Sequence, residues 1–220
     1  MAGVFDSDRE ESWKHSTEHG TEEGREQGAP PAGPHALVVG GTGMLRGLTL
    51  ALAGRGLVVS VIARNRDRLH ALAAAADSLT GAINPIPLDY RDGEELRSAL
   101  RRALAAYGPV GLAVCWIHST APEAVGQIAR VIGSRGARSR LFHVRGSAAA
   151  NPAEKAQRLP EWLAHCPNVQ YRQVILGFVV EGARSRWLTH QEISDGVLAA
   201  VDADAPFFIV GTVEPWSMRP

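Results

Sequence analysis

The chain has 220 residues, with 23 basic against 23 acidic groups, and 45% of its residues are hydrophobic. This composition suits one soluble globular domain with an ordinary core, and zero formal net charge gives no electrostatic reason to expect a nucleic-acid partner. No apolar stretch has membrane-spanning length and the start lacks the charged-then-apolar layout of a signal peptide, so a cytoplasmic protein with no membrane partner is expected.

Residues 1–34 differ in composition from the rest. Asp6 to Glu26 is crowded with charged residues, His and Ser, and Gly28-Ala-Pro-Pro-Ala-Gly-Pro34 breaks regular structure. Such a segment buries too little apolar area to order itself, which predicts a disordered tail over 1–34 and one domain over 35–220.

From His35 onward short apolar runs alternate with helical patterns. Strands are expected near 35–40, 57–63, 83–88, 110–117, 139–145, 169–176 and 206–211, and helices near 43–54, 66–76, 92–107, 121–134, 153–165 and 190–202. Asp92 before Glu94-Glu95 and Thr189 before His190-Gln-Glu192 mark two helix starts. Alternation of this kind predicts a single-domain, doubly wound parallel α/β sheet of about seven strands, the Rossmann plan.

The first unit carries the strongest signal. In Ala36-Leu-Val-Val-Gly-Gly-Thr-Gly-Met-Leu-Arg-Gly47 an apolar strand ends in a glycine-rich turn that opens a helix, so backbone N–H groups face outward as a pyrophosphate requires. Gly40 makes the tight turn, Gly43 lets the backbone approach the diphosphate, and Thr42 adds a hydroxyl donor; Gly41, Met44 and Leu45 complete the loop. Arg46 stands where a third small residue belongs. Either Arg46 points outward at a phosphate, or the register is Gly41-x-Gly43-x-x-x-Gly47; the sequence does not choose.

The second strand, Leu57-Val-Val-Ser-Val-Ile-Ala63, ends where such a unit places its ribose-reading residue. Instead of a carboxylate the chain has Arg64-Asn65-Arg66. A guanidinium there pairs with a 2′-phosphate, so NADP(H) is the preferred cofactor and NAD(H) the weaker option. Ligands of open parallel sheets sit at the carboxyl ends of the strands, which here are Gly40–Gly43, Ala63-Arg64, Asp89-Tyr90, Ile117-His118-Ser119, Gly146-Ser147 and Gly177-Phe178-Val179.

Over nearly all of 35–212 the chain resembles the short-chain dehydrogenase/reductase superfamily, through the Gly40-Gly-Thr-Gly43 turn, Arg64, Leu88-Asp89 and Ile175-Leu-Gly177-Phe178-Val179. The resemblance implies that Asp89 receives the adenine amino group and Tyr90 flanks its ring. It places Ile117, His118 and Ser119 against the adenine-side ribose, Gly177 and Val179 beside the nicotinamide, and Ser147 at the active-site serine. The superfamily's Tyr-x-x-x-Lys pair has no match: Lys155 follows Ser147, but no tyrosine occurs before Tyr171. In size and plan the chain is similar to atypical members of the biliverdin-reductase-B and flavin-reductase type, and to NmrA-like redox sensors.

Without a tyrosine acid, a reductase suits substrates that are already electrophilic, because the cofactor supplies the hydride. Ser147, His118 and Lys155 are the candidate catalytic groups, His143 reads as a buried strand residue, and Arg145 or Arg172 as the holder of a substrate carboxylate. Trp187 and Trp216 suit a pocket wall, a dimer contact or packing at the domain edge. The cysteines and histidines lack metal-ligand spacing, and Ser147 lacks a nucleophile elbow, so neither a metal site nor a hydrolase triad is expected. Cys115 and Cys166 read as free thiols. The expected function is NADP(H)-dependent reduction of a small conjugated, carbonyl or imine-like substrate, with a non-catalytic nucleotide-binding redox sensor as the alternative and a homo-oligomer left open.

Overall fold

The structure is a computed structural model that describes residues 33–134, 136–150 and 159–220. The expected tail therefore lies almost wholly outside the described residues, as do Lys155 and the first part of the helix expected at 153–165.

Seven strands form one sheet, all paired in parallel: β1 (His35–Val39), β2 (Val58–Ala63), β3 (Ala82–Pro87), β4 (Val110–Trp116), β5 (Ser139–Gly146), β6 (Val169–Leu176) and β9 (Phe207–Val210). Their spatial order is β3-β2-β1-β4-β5-β6-β9. The chain winds outward from β1 to β3, then returns to pair β4 with β1 on its other side. That reversal leaves a crevice above the carboxyl ends of β1 and β4, the topological switch point. Pro85 and Pro87 fall in edge strand β3, the one place a proline costs no ladder bond on its open side.

Helices α1 (Arg46–Gly54), α2 (Arg66–Ala74), α3 (Gly93–Tyr107), α4 (Ala124–Gly133) and α5 (His190–Asp202) cover both faces. One core lies between the sheet and α3 and α4, around Leu96, Leu100, Ile128 and Leu141; the other lies under α1 and α5, around Leu48, Leu52, Phe142 and Val197. The helix starts follow the sequence signals. The Asp92 carboxylate accepts from the Glu94 and Glu95 amides at 3.1 and 3.0 Å, and Thr189 with Glu192 closes a capping box.

Two elements depart from the expected series. The described part of the 153–165 helix is a short 3-10 turn, Glu161–His165. An antiparallel hairpin of β7 (Phe178–Glu181) and β8 (Arg184–Trp187) stands between β6 and α5, with Gly182 at φ 63° in its turn. Arg186 on β8 ties the hairpin to α5 through Glu192, at 2.9 and 3.0 Å.

The glycine turn shows which of its members the fold itself requires. A Cβ at Gly41 would come within 2.8 Å of both Thr49 Oγ1 and Val61 Cγ1 and 3.1 Å of Val38 Cγ1, whereas one at Gly43 would meet nothing within 4 Å. Gly41→Ala should therefore lower unfolding stability by about 1–3 kcal/mol, as overpacking does. Gly43→Ala should stay within about 0.5 kcal/mol of the parent. Equal losses in denaturant titrations would show that the turn is not packed in this way.

Candidate nucleotide cleft and adjoining pockets

α1 begins directly above the carboxyl end of β1. Gly40, at φ 84°, turns the chain out of the strand while its amide still bonds to the Ile62 carbonyl at 3.0 Å. The helix opens at Leu45 with no side-chain cap and no acidic residue in its first turn, so its positive end is not neutralised locally. α5 holds this end in place: the Ser194 hydroxyl donates to the Met44 carbonyl at 2.8 Å and accepts from the Leu48 amide at 3.2 Å. A Cβ at Gly47 would lie 3.1 Å from the same Ser194 side chain. Close packing thus falls at Gly41 and Gly47, and Gly43 is the open member of the turn. Arg46 is exposed and is not part of the cleft wall.

A cleft of about 610 Å³ lies above the switch point. Gly40, Thr42, Gly43 and Met44 form its floor, Ala63, Arg64, Asn65 and Arg68 one side, Asp89, Tyr90 and Arg91 another, and His118 and Thr120 the lip beyond β4. Gly41 and Leu45 are buried beneath the loop instead. Asn65 caps α2, its side-chain oxygen accepting from the Arg68 amide at 2.8 Å. Arg64 and Arg68 form no ion pair with any described residue.

Asp89 is already engaged. Its carboxylate accepts from the Arg91 amide at 3.0 Å and from the Arg91 guanidinium at 2.9 Å. Those bonds, reinforced by the nearby charges of Arg91 and Arg64, hold its pKa down at about 2. An adenine amino group would have to share these oxygens. The Tyr90 hydroxyl accepts from the His118 amide at 3.2 Å and so joins the β3 and β4 loops. Three guanidinium groups against one carboxylate leave this end of the cleft positive, and Gly43 leaves open space over the loop. These residues fit a dinucleotide with an additional phosphate.

Trp116, the last residue of β4, divides the site. Its Cδ1 would be 3.4 Å from a Cβ at Gly40 and its Cη2 3.9 Å from one at Gly146, so the indole reaches from the β1 turn to the end of β5. On one side lies the polar cleft. On another lies a mainly apolar pocket of about 330 Å³, lined by Trp116, Met44, Leu176, Gly177, Trp187, Leu188, Ile193 and His190, with Ser147 and Arg219. Cleft and pocket share Met44, Trp116 and His190. A third cavity of about 460 Å³, towards α4, holds Ile117, His118, Ser119, His143 and Arg145.

The expected site residues are therefore distributed rather than collected. His118 lines the cleft and the third cavity; Ile117 and Ser119 line only the latter. Gly177 borders the apolar pocket, and a Cβ there would run into the Thr212 carbonyl. Val179 lies in the hairpin and lines none of these three cavities. Ser147 is buried, and its hydroxyl accepts from Arg219 Nε at 2.8 Å. Lys155 lies outside the described residues. Arg172 is bound to Asp204 at 3.2 Å, away from the cavities, whereas Arg145 faces the third cavity. Trp116, His190 and Arg219 were not singled out from the sequence; the strand end at Trp116 and the helix start at His190 were the available signals, and nothing local marked Arg219.

His143 is half-buried rather than core-enclosed, and its Nδ1 shares a hydrogen bond of 2.9 Å with the Tyr171 hydroxyl. Burial, helped by the charge of Arg145, lowers its pKa to about 4, and burial raises Tyr171 to about 12. Both groups are neutral near pH 7. Cys115 and Cys166 are free and buried, the former pushed up to about 12 by burial.

No protein-family profile matches the chain, and no curated protein sequence matches it. Solved structures do. A short-chain type dehydrogenase/reductase from Mycobacterium marinum is 17% identical, with 84% of this chain and 96% of that chain covered at a TM-score of 0.63. A short-chain dehydrogenase/reductase from Serratia marcescens is 18% identical, with coverage of 83% and 98% and a TM-score of 0.62. An alcohol dehydrogenase from the archaeon Thermococcus sibiricus, complexed with 5-hydroxy-NADP, is 15% identical, with coverage of 81% and 95% and a TM-score of 0.61. The chain thus has the Rossmann fold of short-chain dehydrogenase/reductase structures, in a single domain.

The His143 environment has a measurable consequence. Its folded pKa lies below the unfolded value of 6.5, so its contribution is fully present above about 6.5 and is lost as pH falls towards about 4. His143→Gln should make stability fall less steeply than in the parent between about pH 7 and pH 4.5 in urea titrations. Parallel pH profiles would remove His143 as a source of the loss.

Proposed function

We propose that this chain is an NADP(H)-dependent oxidoreductase of the short-chain dehydrogenase/reductase type, atypical in lacking the Tyr-x-x-x-Lys pair, that reduces a small conjugated, carbonyl or imine-like substrate. The observation that carries this reading is the joining of two unlike cavities across Trp116: a guanidinium-rich cleft over a glycine turn, and an apolar pocket containing a single buried serine.

The backbone of Gly40 to Met44 binds the diphosphate, with the uncapped start of α1 favouring its charge. Arg64 and Arg68 hold the 2′-phosphate, and Tyr90 flanks the adenosine end. When bound, the cofactor supplies the hydride. The chain's own residues do the rest. Leu176, Leu188 and Ile193 exclude water from the pocket beyond Trp116, and Ser147 orients the polar atom of the substrate. His118 and His190, on the two flanks of Trp116, are the imidazoles within reach of the cleft for proton transfer. NAD(H) lacks the group that Arg64 and Arg68 hold and binds more weakly. A small-molecule substrate and a reducing, cytoplasmic setting suit the two free thiols. No helix among the described residues is long and apolar enough to cross a membrane.

The second reading, a nucleotide-binding redox sensor without turnover, is favoured by one observation: no tyrosine stands between Ser147 and Tyr171 to act as the acid of a reductase. The two diverge in turnover. The oxidoreductase should consume NADPH with at least one member of a panel of flavins, quinones, imines and dicarbonyls; a sensor should bind NADPH and NADP⁺ unequally and consume none.

Both readings require the phosphate assignment. Replacing Arg64 and Arg68 together with Gln should weaken NADPH binding about tenfold or more, with NADH affinity changed less than about threefold. Equal weakening of the two nucleotides in calorimetry would contradict the 2′-phosphate assignment.

A further inference from the structure

We propose that the apolar pocket beyond Trp116 takes a flat, conjugated carboxylate, with the Arg219 guanidinium reading the acid group. The inference deepens the reductase reading by naming its substrate class, and its consequence for catalysis rests on that reading.

The pocket is nearly devoid of polar surface except at one corner. Trp116 and Trp187 present indoles to it, and Leu188 and Ile193 line it with aliphatic side chains. Aromatic walls of this kind favour a planar ligand, and a volume of about 330 Å³ admits a bicyclic one. At the corner stands Arg219. Its guanidinium carbon lies 5.1 Å from the Trp187 ring centroid and 5.5 Å from that of Trp216, and both rings hold it by cation–π attraction. Its Nε donates to Ser147 Oγ at 2.8 Å.

This arrangement orients the cation without neutralising it. Arg219 forms no ion pair with any described residue, and the Ser147 bond uses only Nε. The terminal guanidinium nitrogens of this exposed side chain remain as a fork suited to a carboxylate, beside the apolar lining of the pocket. Indoles and a hydroxyl fix the side chain in advance, so little rotamer freedom is lost when the anion arrives. A neutral ligand of the same shape would gain the stacking but not the ion pair. Other guanidinium groups near the carboxyl ends do not compete for this role: Arg64, Arg68 and Arg91 belong to the cleft, Arg145 faces the third cavity and Arg172 is tied to Asp204, which leaves Arg219 as the guanidinium of a pocket it shares with the His190 imidazole.

The test uses two probes of one shape, 2-naphthoate and 2-naphthamide, titrated by calorimetry into the full chain with and without NADPH. Wild type should bind 2-naphthoate at least about tenfold more tightly than 2-naphthamide, the margin of a charge-assisted hydrogen bond. Arg219→Gln should reduce that preference to less than about twofold, and Arg219→Lys should retain part of it. Equal binding of the two probes by wild type, no binding of either, or a preference that survives in folded Arg219→Gln overturns the inference. The wild-type comparison decides the matter even if a variant fails to fold. NADPH is titrated into the same samples, so nucleotide binding without naphthoate preference rejects this inference alone, and naphthoate preference without nucleotide binding rejects the reductase reading alone.

Discussion

The close approach of α1 to the sheet is the constraint on which the site rests. Gly41 lets the turn descend onto Val38, Val61 and Thr49, and Gly47 lets the helix meet Ser194 of α5. With both positions bare, the first turn of α1 is pressed against β1 and pinned by a hydroxyl that bonds to Met44 and Leu48 at once. The helix end then points over the switch point, with no side-chain cap on it. A bulkier residue at Gly41 would lift the helix and displace the floor of the cleft along with it.

Given that floor, charge and polarity sort the space above it. Arg64, Arg68 and Arg91 gather at the ends of β2 and β3, and among the described residues lining the cleft Asp89 is the one carboxylate beside them. Beyond Trp116 the walls become aromatic and aliphatic, and the polar groups dwindle to Ser147, His190 and Arg219. One indole therefore separates a place suited to phosphates from a place suited to a conjugated ring. The proposed hydride transfer rests on this division, which would place a charged cofactor and an apolar substrate on opposite sides of one side chain.

The parts written in local sequence were the legible ones. Apolar runs marked the seven strands, and Asp92 and Thr189 marked helix starts, because period and capping act over a few residues. The glycine turn was visible, but the division of labour between Gly41 and Gly43 was not, since it depends on which side chains lie beneath the loop. The contacts made over long separations were hidden altogether. Ser194 meets Met44 across 150 residues and Arg219 meets Ser147 across 72, distances over which no sequence pattern operates. The β7–β8 hairpin escaped because its strands are short and largely exposed, with no alternation to betray them. His143 was read as packed inside its strand; it is half-buried there, bonded to Tyr171 on one side and bordering the third cavity on the other.

A crystal structure of the protein with NADPH is the most direct measurement. The diphosphate should lie against the amides of Gly43 and Met44, the 2′-phosphate between Arg64 and Arg68, and the nicotinamide on the Trp116 side facing Ser147. A nucleotide bound elsewhere, or crystals grown at saturating NADPH in which the cleft above Gly43 holds only solvent, would contradict the assignment of this fold to nucleotide chemistry.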